Sequence, residues 1–227
     1  MNSVFADFQT RSNEVEGYFR FVLRLAGAEV ALRETRSNGP VYSTHEHEEL
    51  LKTLKATCYL LLYNLVESTM RNAVEAIFDE LRTEGANFDQ CREELRREIL
   101  KNFKRRDVEK LLPKLLTLAR DVVFETFERS EMFSGNLDAR SIRMTAKRFG
   151  FAEPAGNKFW MLQTVKDVRN DLAHGVKSFA EVGRSASPSD LEEARSQTVG
   201  ILAETLQNIS DYVQKREYLI VTRTPIS

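Results

Sequence analysis

Apolar residues recur at three- and four-residue intervals through most of the chain, and this spacing is typical of amphipathic α-helices. Near the start of the chain the spacing is kept by Phe5, Phe8, Val15, Phe19, Val22, Leu23 and Ala26. It predicts a first helix over about residues 3–36, before the break at Ser37-Asn38-Gly39-Pro40. No alternating strand pattern with hairpin turns is found, so the sequence predicts an all-α fold.

Glycine, proline and capping residues divide the rest of the chain into further helices. Ser43 with Glu46 looks like a capping box, and Gly85 is suited to end the long helix that follows. Asp138 and Gly150 bound a short helix in the same way, and Gly175 ends another. The expected helices after the first cover about residues 46–81, 89–103, 107–128, 139–149, 158–174 and 188–216. A loop is expected from Gly183 to Ser187, and the tail 218–227 has some extended character.

Composition narrows the class of protein only slightly. The 227 residues include 33 basic and 34 acidic side chains, so a net charge of −1 argues neither for nor against a nucleic-acid partner. The two cysteines, Cys58 and Cys91, fall within helical patterns without metal-type spacing, which favours a reducing compartment. No apolar run approaches the roughly 18 residues of a membrane span, and no signal peptide is apparent. We therefore expect a cytoplasmic protein that does not associate with a membrane.

One short segment combines residues that could carry chemistry. Arg169, Asn170 and His174 lie together at the end of a predicted helix, directly before Gly175. Asn170 and His174 are four residues apart and share a helix face, and the long Arg169 side chain can reach the same region. An imidazole at this helix end could take part in proton transfer. The alternative is that Arg169 and Asp171 form surface ion pairs and His174 only caps the helix.

A second polar set interrupts the strongly apolar long helix. Asn64, Glu67, Ser68 and Arg71 are spaced by three, four and seven residues, which places them on one face. Such a stripe is typical of a pocket, an interface or a buried network, and Glu67 could orient His174. Alternatively, Glu67 and Arg71 form an internal ion pair.

Basic residues cluster in two stretches that could contact an RNA backbone. The first, with Phe103 inside it, contains Arg92, Arg96, Arg97, Lys101, Lys104, Arg105 and Arg106. The second, beside Phe149, contains Arg140, Arg143, Lys147 and Arg148. Either stretch could instead be a solvated helix face, since glutamates interleave the first.

Other catalytic classes lack their signatures. There is no Gly-rich phosphate loop and no Gly-x-Ser-x-Gly elbow. His45 and His47 are surrounded by glutamates, but His-x-His spacing at a helix start separates the two rings, so a solvated first turn is favoured over a metal site. We therefore expect neither a metal nor a cofactor.

The segment Arg169-Asn170-Asp171-Leu172-Ala173-His174-Gly175 resembles the signature of the HEPN superfamily (higher eukaryotes and prokaryotes nucleotide-binding domain). In that signature an Arg is usually followed by a polar residue. A His comes next, separated from the Arg by four to six intervening residues. The resemblance extends to residues 61–71, 134–140 and 218–219. The sequence is similar to a bacterial branch of HEPN proteins that is associated with toxin–antitoxin and phage-defence loci.

The resemblance implies a single HEPN-like domain over residues 1–227. It would be a bundle of long antiparallel helices, with a helical insert at about 86–156 between the two helices that carry the polar residues. HEPN ribonucleases act as homodimers in which two Arg…His motifs form a composite active site. Carried over to this chain, Arg169 would hold the scissile phosphate, Asn170 would orient the site and His174 would transfer protons.

The implied function is that of a metal-independent endoribonuclease. The ribose 2′-OH would attack the adjacent phosphate and leave a 2′,3′-cyclic phosphate and a 5′-hydroxyl. Such an enzyme would act as a toxin or an anti-phage effector, restrained by an antitoxin or another defence-system protein. The alternative is a non-catalytic HEPN-like module that binds RNA or nucleotide, or that serves dimerisation and partner docking.

Overall fold

A computed structural model describes residues 1–30, 44–104, 137–155 and 160–220. Within these ranges the chain is helical apart from turns and one isolated β-bridge, so the all-α prediction is confirmed. The described helices are α1 (Asn2–Ala26), α2 (Thr44–Glu84), a 3-10 helix (Phe88–Gln90), α3 (Glu93–Lys104), α4 (Ala139–Phe149), α5 (Trp160–Ala173), α6 (Phe179–Ser185) and α7 (Pro188–Gln214). The helix expected at 107–128 and the predicted cap at Ser43 lie outside the described residues.

Several helix ends follow the predicted local chemistry. Gly85, Gly150 and Gly175 have φ values of +62°, +88° and +68°. These left-handed conformations end α2, α4 and the turn after α5, as expected for glycines past a helix C-terminus. Asp138 caps α4, since its carboxylate accepts a hydrogen bond from the Ser141 N–H at 2.7 Å.

Three predicted boundaries are wrong. The helix expected from about Asp89 begins at Glu93, because Phe88–Gln90 form a separate 3-10 helix and Cys91 lies in a β-bridge. The first helix ends at Ala26 rather than near residue 36, because Ala28 adopts a left-handed conformation (φ +57°) and the Glu29 N–H bonds back to the Arg24 carbonyl at 2.9 Å. Gly183, where a loop was expected to begin, lies instead in the C-terminal part of α6. That helix is started by Ser178, which forms a reciprocal capping box with Glu181.

The chain divides into two compact units by its internal contacts. Unit 1 comprises Met1–Phe5, Thr69–Ala155 and Leu202–Ser227, and unit 2 comprises Ala6–Ser68 and Gly156–Ile201. Helices α1, α2 and α7 therefore each contribute residues to both units.

Aromatic packing organises unit 1. The rings of Phe78 and Phe149 meet edge to face at 5.9 Å between centroids, and Tyr212 contacts both Phe151 and Tyr218 in similar geometry. The buried Tyr212 hydroxyl donates to the Phe149 carbonyl at 2.6 Å. These contacts fix α4 and the end of α7 against the C-terminal part of α2.

The tail after α7 is anchored within unit 1. Leu219 forms an antiparallel bridge with Cys91, where the Arg92 N–H donates to the Tyr218 carbonyl and the Ile220 N–H donates to the Gln90 carbonyl, both at 2.8 Å. The extended character expected at the start of the tail is therefore realised as this single bridge.

Unit 2 contains the helices that carry the candidate motif. The Tyr18 hydroxyl donates to the Leu54 carbonyl at 3.1 Å, which ties α1 to α2. An ion pair between Arg195 and Glu16 ties α7 to α1. Gly183 of α6 approaches the backbone of Lys52 so closely that a Cβ atom would lie 2.5 Å from the Lys52 carbonyl carbon. Glycine is therefore required at this contact between α6 and α2.

Candidate functional site

Helix α5 and the turn after it position the Arg169–His174 segment. Met161, Leu162, Val165 and Leu172 are buried, and their spacing fixes which face of α5 points inward. At the end of α5 the Val176 N–H donates to the Asp171 carbonyl at 2.8 Å, and the Gly175 N–H donates to the Leu172 carbonyl at 3.3 Å. This pair of bonds with a left-handed glycine is a Schellman motif, and it ends the helix directly at His174.

Arg169 contacts Tyr63 and Asn170. Its guanidinium carbon lies 4.4 Å from the centroid of the Tyr63 ring, a cation–π contact between α5 and α2. Its Nη1 atom donates to the Asn170 side-chain oxygen at 2.9 Å. Tyr63 is buried, whereas Arg169 and Asn170 are half-buried. The cation is therefore kept at the surface of unit 2 in a restricted geometry, as a phosphate-binding group requires.

His174 occupies the first position after α5, and it is exposed. Its backbone N–H donates to the Asn170 carbonyl at 2.9 Å, so the main chain at this residue is still held by the helix. The structure thus brings Arg169, Asn170 and His174 to one helix end, with a fixed backbone and an accessible imidazole.

Asp171 fixes the turn on the other side of His174. Its carbonyl accepts the N–H groups of Val176 and Lys177, and its carboxylate accepts a hydrogen bond from the Lys177 ammonium at 2.7 Å. This hydrogen bond raises the pKa of Lys177 above its usual value. The alternative interpretation of the sequence placed Asp171 in a surface ion pair; its partner in the structure is Lys177, and this pair helps to close the turn that follows His174.

The second polar set follows α2 as predicted, but its members differ in surroundings. Asn64 is exposed, whereas Glu67, Ser68 and Arg71 are half-buried. The Ser68 hydroxyl donates to the Leu65 carbonyl at 3.2 Å. Asn64, Glu67 and Ser68 belong to unit 2 with the Arg169–His174 segment, and Arg71 belongs to unit 1.

Tyr63 is the residue of this region that sequence reasoning missed as a site residue. A signal for it exists, because Tyr63 precedes Glu67 by four residues and so adjoins the polar stripe along α2. Its position within an apolar run instead indicated a core residue, and it is indeed buried. Only the packing of α5 on α2 shows that its ring supports Arg169.

The two basic stretches differ in their ion pairing. In and beside α3, Arg97 pairs with Glu93, Lys101 lies 3.6 Å from Glu98, and Arg92 lies 3.8 Å from Glu94. Arg105 and Arg106 lie outside the described residues.

On α4, Arg148 is committed to the fold. Its Nε donates to the buried Glu98 carboxylate at 2.7 Å, and burial lowers the pKa of Arg148. Arg140 and Lys147 are exposed and Arg143 is half-buried.

Both cysteines are buried, and neither thiol lies in surroundings that would activate it as a nucleophile. Burial raises the pKa of Cys58 to about 12 and that of Cys91 to about 11. Since the thiolate is the reactive form, neither is poised for covalent chemistry near neutral pH. Among the described residues, no group of three or more His, Cys, Asp and Glu side chains could hold a metal ion. In the same part of the chain, no helix is long and apolar enough to cross a membrane.

An all-helical fold with an Arg, a polar residue and a His at the end of one helix is the pattern that the resemblance to the HEPN class predicts. Comparison with known families agrees, because the HEPN_MAE_28990-like HEPN family model matches residues 1–218. The chain belongs to this family, and membership indicates a module of nucleotide-binding or ribonuclease type. No curated protein and no solved structure matched the chain.

Proposed function

We propose that this protein is a metal-independent endoribonuclease of the HEPN type. The observation that supports this function best is the combination of a held cation and an accessible imidazole at one helix end. Arg169 lies 4.4 Å over the Tyr63 ring, and His174 follows α5 on an exposed turn. These are the groups that phosphate binding and proton transfer need.

In the proposed reaction a base removes the proton of the ribose 2′-OH, and the 2′-oxygen forms a bond to the adjacent phosphorus. The bond from phosphorus to the 5′-oxygen breaks, and an acid protonates that oxygen. Arg169 stabilises the negative charge that develops on the phosphate, and Asn170, which accepts a hydrogen bond from Arg169, keeps the guanidinium oriented. The products are a 2′,3′-cyclic phosphate and a 5′-hydroxyl.

The reaction requires a base and an acid, whereas the Arg169–His174 segment supplies one imidazole. We infer that a homodimer joins two such segments into a composite site, with His174 of one protomer as base and His174 of the other as acid. Asn64, Glu67 and Ser68, which belong to unit 2 with this segment, are proposed to line or support that site. A nuclease of this kind requires restraint, which fits a toxin or anti-phage effector with a neutralising partner.

Incubation of the purified protein with total RNA in EDTA tests the proposal. The wild type should cleave RNA to cyclic-phosphate ends, and His174→Ala should reduce the rate at least 100-fold, the order of a lost general acid or base. Thermal unfolding of His174→Ala should match the wild type, since the exposed imidazole adds little to the fold. Cleavage that persists in His174→Ala would contradict the assignment. Absence of cleavage by both proteins would favour an RNA-binding or partner-docking module instead.

Mixed dimers test the composite site. A dimer with one His174→Ala protomer should lose most of the activity, because base and acid come from different chains. Retention of about half the wild-type rate would show that each protomer works alone.

A further inference from the structure

The turn that joins α5 to α6 follows His174 directly and is open to solvent. Every residue from Ala173 to Phe179 is exposed. Two of them carry large apolar side chains, since Val176 is 69% exposed and Phe179 is 37% exposed. Both lie in unit 2 with the Arg169–His174 segment. Exposed apolar surface is therefore present beside the proposed site.

This turn is nevertheless fixed to the fold at both ends. On the α5 side, the Lys177 N–H donates to the Asp171 carbonyl at 3.3 Å, and the Lys177 ammonium donates to the Asp171 carboxylate at 2.7 Å. On the α6 side, Ser178 and Glu181 form their reciprocal capping box, and Gly183 lies against the backbone of α2. Side chains on this turn therefore occupy restricted positions, which reduces the entropy lost when a ligand binds.

The Phe179 ring is partly packed and partly open. Val182 and Gly183, three and four residues later, are buried and share its side of α6. Five residues of chain reach at most about 18 Å, so the ring stays close to His174. A ring that is held by the fold and keeps open surface is suited to stack on a nucleobase, since every base has a flat π-face.

Lys177 places a positive charge between the two apolar residues of the turn. Asp171 holds this ammonium, and the Lys177 side chain is still 53% exposed. Lysine is depleted at the centres of protein–protein interfaces. If two His174 residues meet in a dimer, as proposed, the two Lys177 charges also approach each other, and a phosphate would offset their repulsion. A ligand with phosphates and flat bases therefore fits this turn better than a protein surface does.

We propose that Lys177 and Phe179 form a subsite for one nucleotide of the RNA beside the scissile phosphate, in which Phe179 stacks on the base and Lys177 contacts a phosphate. The inference rests on the proposed function for its ligand. Neither residue makes or breaks a bond. They hold the RNA and favour a single-stranded region, because a base must leave its neighbours to stack on a side chain.

The test measures binding in a His174→Ala background, so that cleavage does not affect it. Fluorescence anisotropy with a labelled single-stranded RNA is recorded from 50 to 200 mM KCl. Phe179→Leu should weaken binding about 5-fold or more at every salt concentration, since it removes a stack and no charge. Lys177→Gln should instead reduce the slope of log K against log salt by roughly 0.7, the contribution of one phosphate contact to a single strand.

RNA oligonucleotides that lack one base at successive positions locate the stacked nucleotide. At that position, loss of the base should weaken binding about as much as Phe179→Leu does. The two changes together should then cost little more than either alone, because they remove the same contact. Additive losses at every position would overturn the stacking role of Phe179.

Matched controls remove the same chemical groups elsewhere. Phe21 of α1 is 40% exposed, and Lys215 has a side chain 62% exposed that lies 3.7 Å from Asp211. Phe21→Leu and Lys215→Gln should leave affinity and slope nearly unchanged. Effects equal to those of the test variants would overturn the subsite in favour of general surface effects.

Further measurements separate RNA binding from folding and dimerisation. Thermal unfolding of each variant verifies that it folds, and Phe179→Tyr, which keeps the aromatic face, should bind RNA like the His174→Ala parent. Sedimentation velocity should show the same oligomeric state for the parent and for Phe179→Leu. A shift of Phe179→Leu to monomer would assign the ring to a contact between protomers and would overturn the proposal.

The outcomes distinguish this subsite from the proposed function. Cleavage by the wild type with unchanged binding in Phe179→Leu and Lys177→Gln would reject the subsite and retain the nuclease. Weaker binding in both variants without any cleavage by the wild type would retain the subsite as an RNA-binding surface and reject the nuclease.

Discussion

The contact between Tyr63 and Arg169 gives the candidate site its geometry at the scale of single residues. An arginine on an exposed helix end samples many rotamers, and holding it for a phosphate costs conformational entropy at the moment of binding. The Tyr63 ring and the Asn170 amide restrict the guanidinium in advance. The buried ring of α2 is therefore part of the site, although it supplies no reacting group.

Replacement of Tyr63 tests this support. Tyr63→Leu should lower RNA cleavage by about 2- to 30-fold, which corresponds to the 0.5–2 kcal/mol of a cation–π contact. Tyr63→Phe keeps the aromatic face and should retain more activity than Tyr63→Leu. Rates are measured with a defined RNA oligonucleotide, and urea unfolding of each variant accounts for changes in stability. Equal activity of the two variants would show that the ring face does not support Arg169.

What could be predicted of this site from the sequence was local. Arg169, Asn170 and His174 lie within one helical turn and a half, so their proximity follows from the helix itself. The ring under Arg169 comes from a position 106 residues earlier, and no periodicity connects Tyr63 with α5. For Asp171 the sequence indicated a surface ion pair but not the partner. Its role depends on the turn at Gly175, which brings Lys177 back to its carboxylate.

At the scale of helices, the ends with glycine or an N-capping residue were predictable, and others were not. Gly85, Gly150 and Gly175 end their helices by the left-handed conformation that glycine favours. At the end of α1 the left-handed residue is Ala28 rather than the preceding Gly27, so the glycine signal there was easy to miss. Helix α6 is short and was missed although Ser178 and Glu181 have the spacing of a capping box. The tertiary contact of Gly183 with Lys52 is a feature that sequence spacing does not reveal.

Substitution of Gly183 tests that contact. Gly183→Ala places a methyl group against the Lys52 backbone, which cannot move as a side-chain end can. We expect a loss of about 1–3 kcal/mol or more in the free energy of unfolding, as for overpacking in a core. Gly200→Ala is the control, because nothing lies within 4 Å of a Cβ at that position of α7. Since alanine is the better helix former, it should stabilise the protein by up to about 1 kcal/mol. Similar unfolding midpoints for both variants would contradict the close approach.

At the scale of the whole molecule, the two cysteines report on different parts of the chain. Cys58 lies in unit 2 and Cys91 in unit 1, and both are fully buried. With pKa values of about 12 and about 11, they are almost entirely thiols at pH 8. Reaction with a thiol reagent therefore requires opening of the unit that contains each cysteine.

Thiol labelling at pH 8 should consequently be negligible in the native protein and rapid in denaturant. We expect Cys58 and Cys91 to become reactive at the same urea concentration, because α2 and α7 each contribute residues to both units. Cys58→Ala and Cys91→Ala variants assign each signal, and mass spectrometry counts the labels per chain. A population of singly labelled chains at intermediate urea would show instead that one unit unfolds before the other.

The exposure of His174 has an evolutionary consequence. Its backbone N–H bond to Asn170 does not depend on the side chain, and the Schellman motif that follows requires only Gly175. A lineage selected for the fold alone could replace the imidazole with almost any side chain at little cost in stability. Gly175 and Gly183, by contrast, would be retained in such a lineage. The residue found at position 174 among homologues therefore reports on chemistry, independently of how well the fold is preserved.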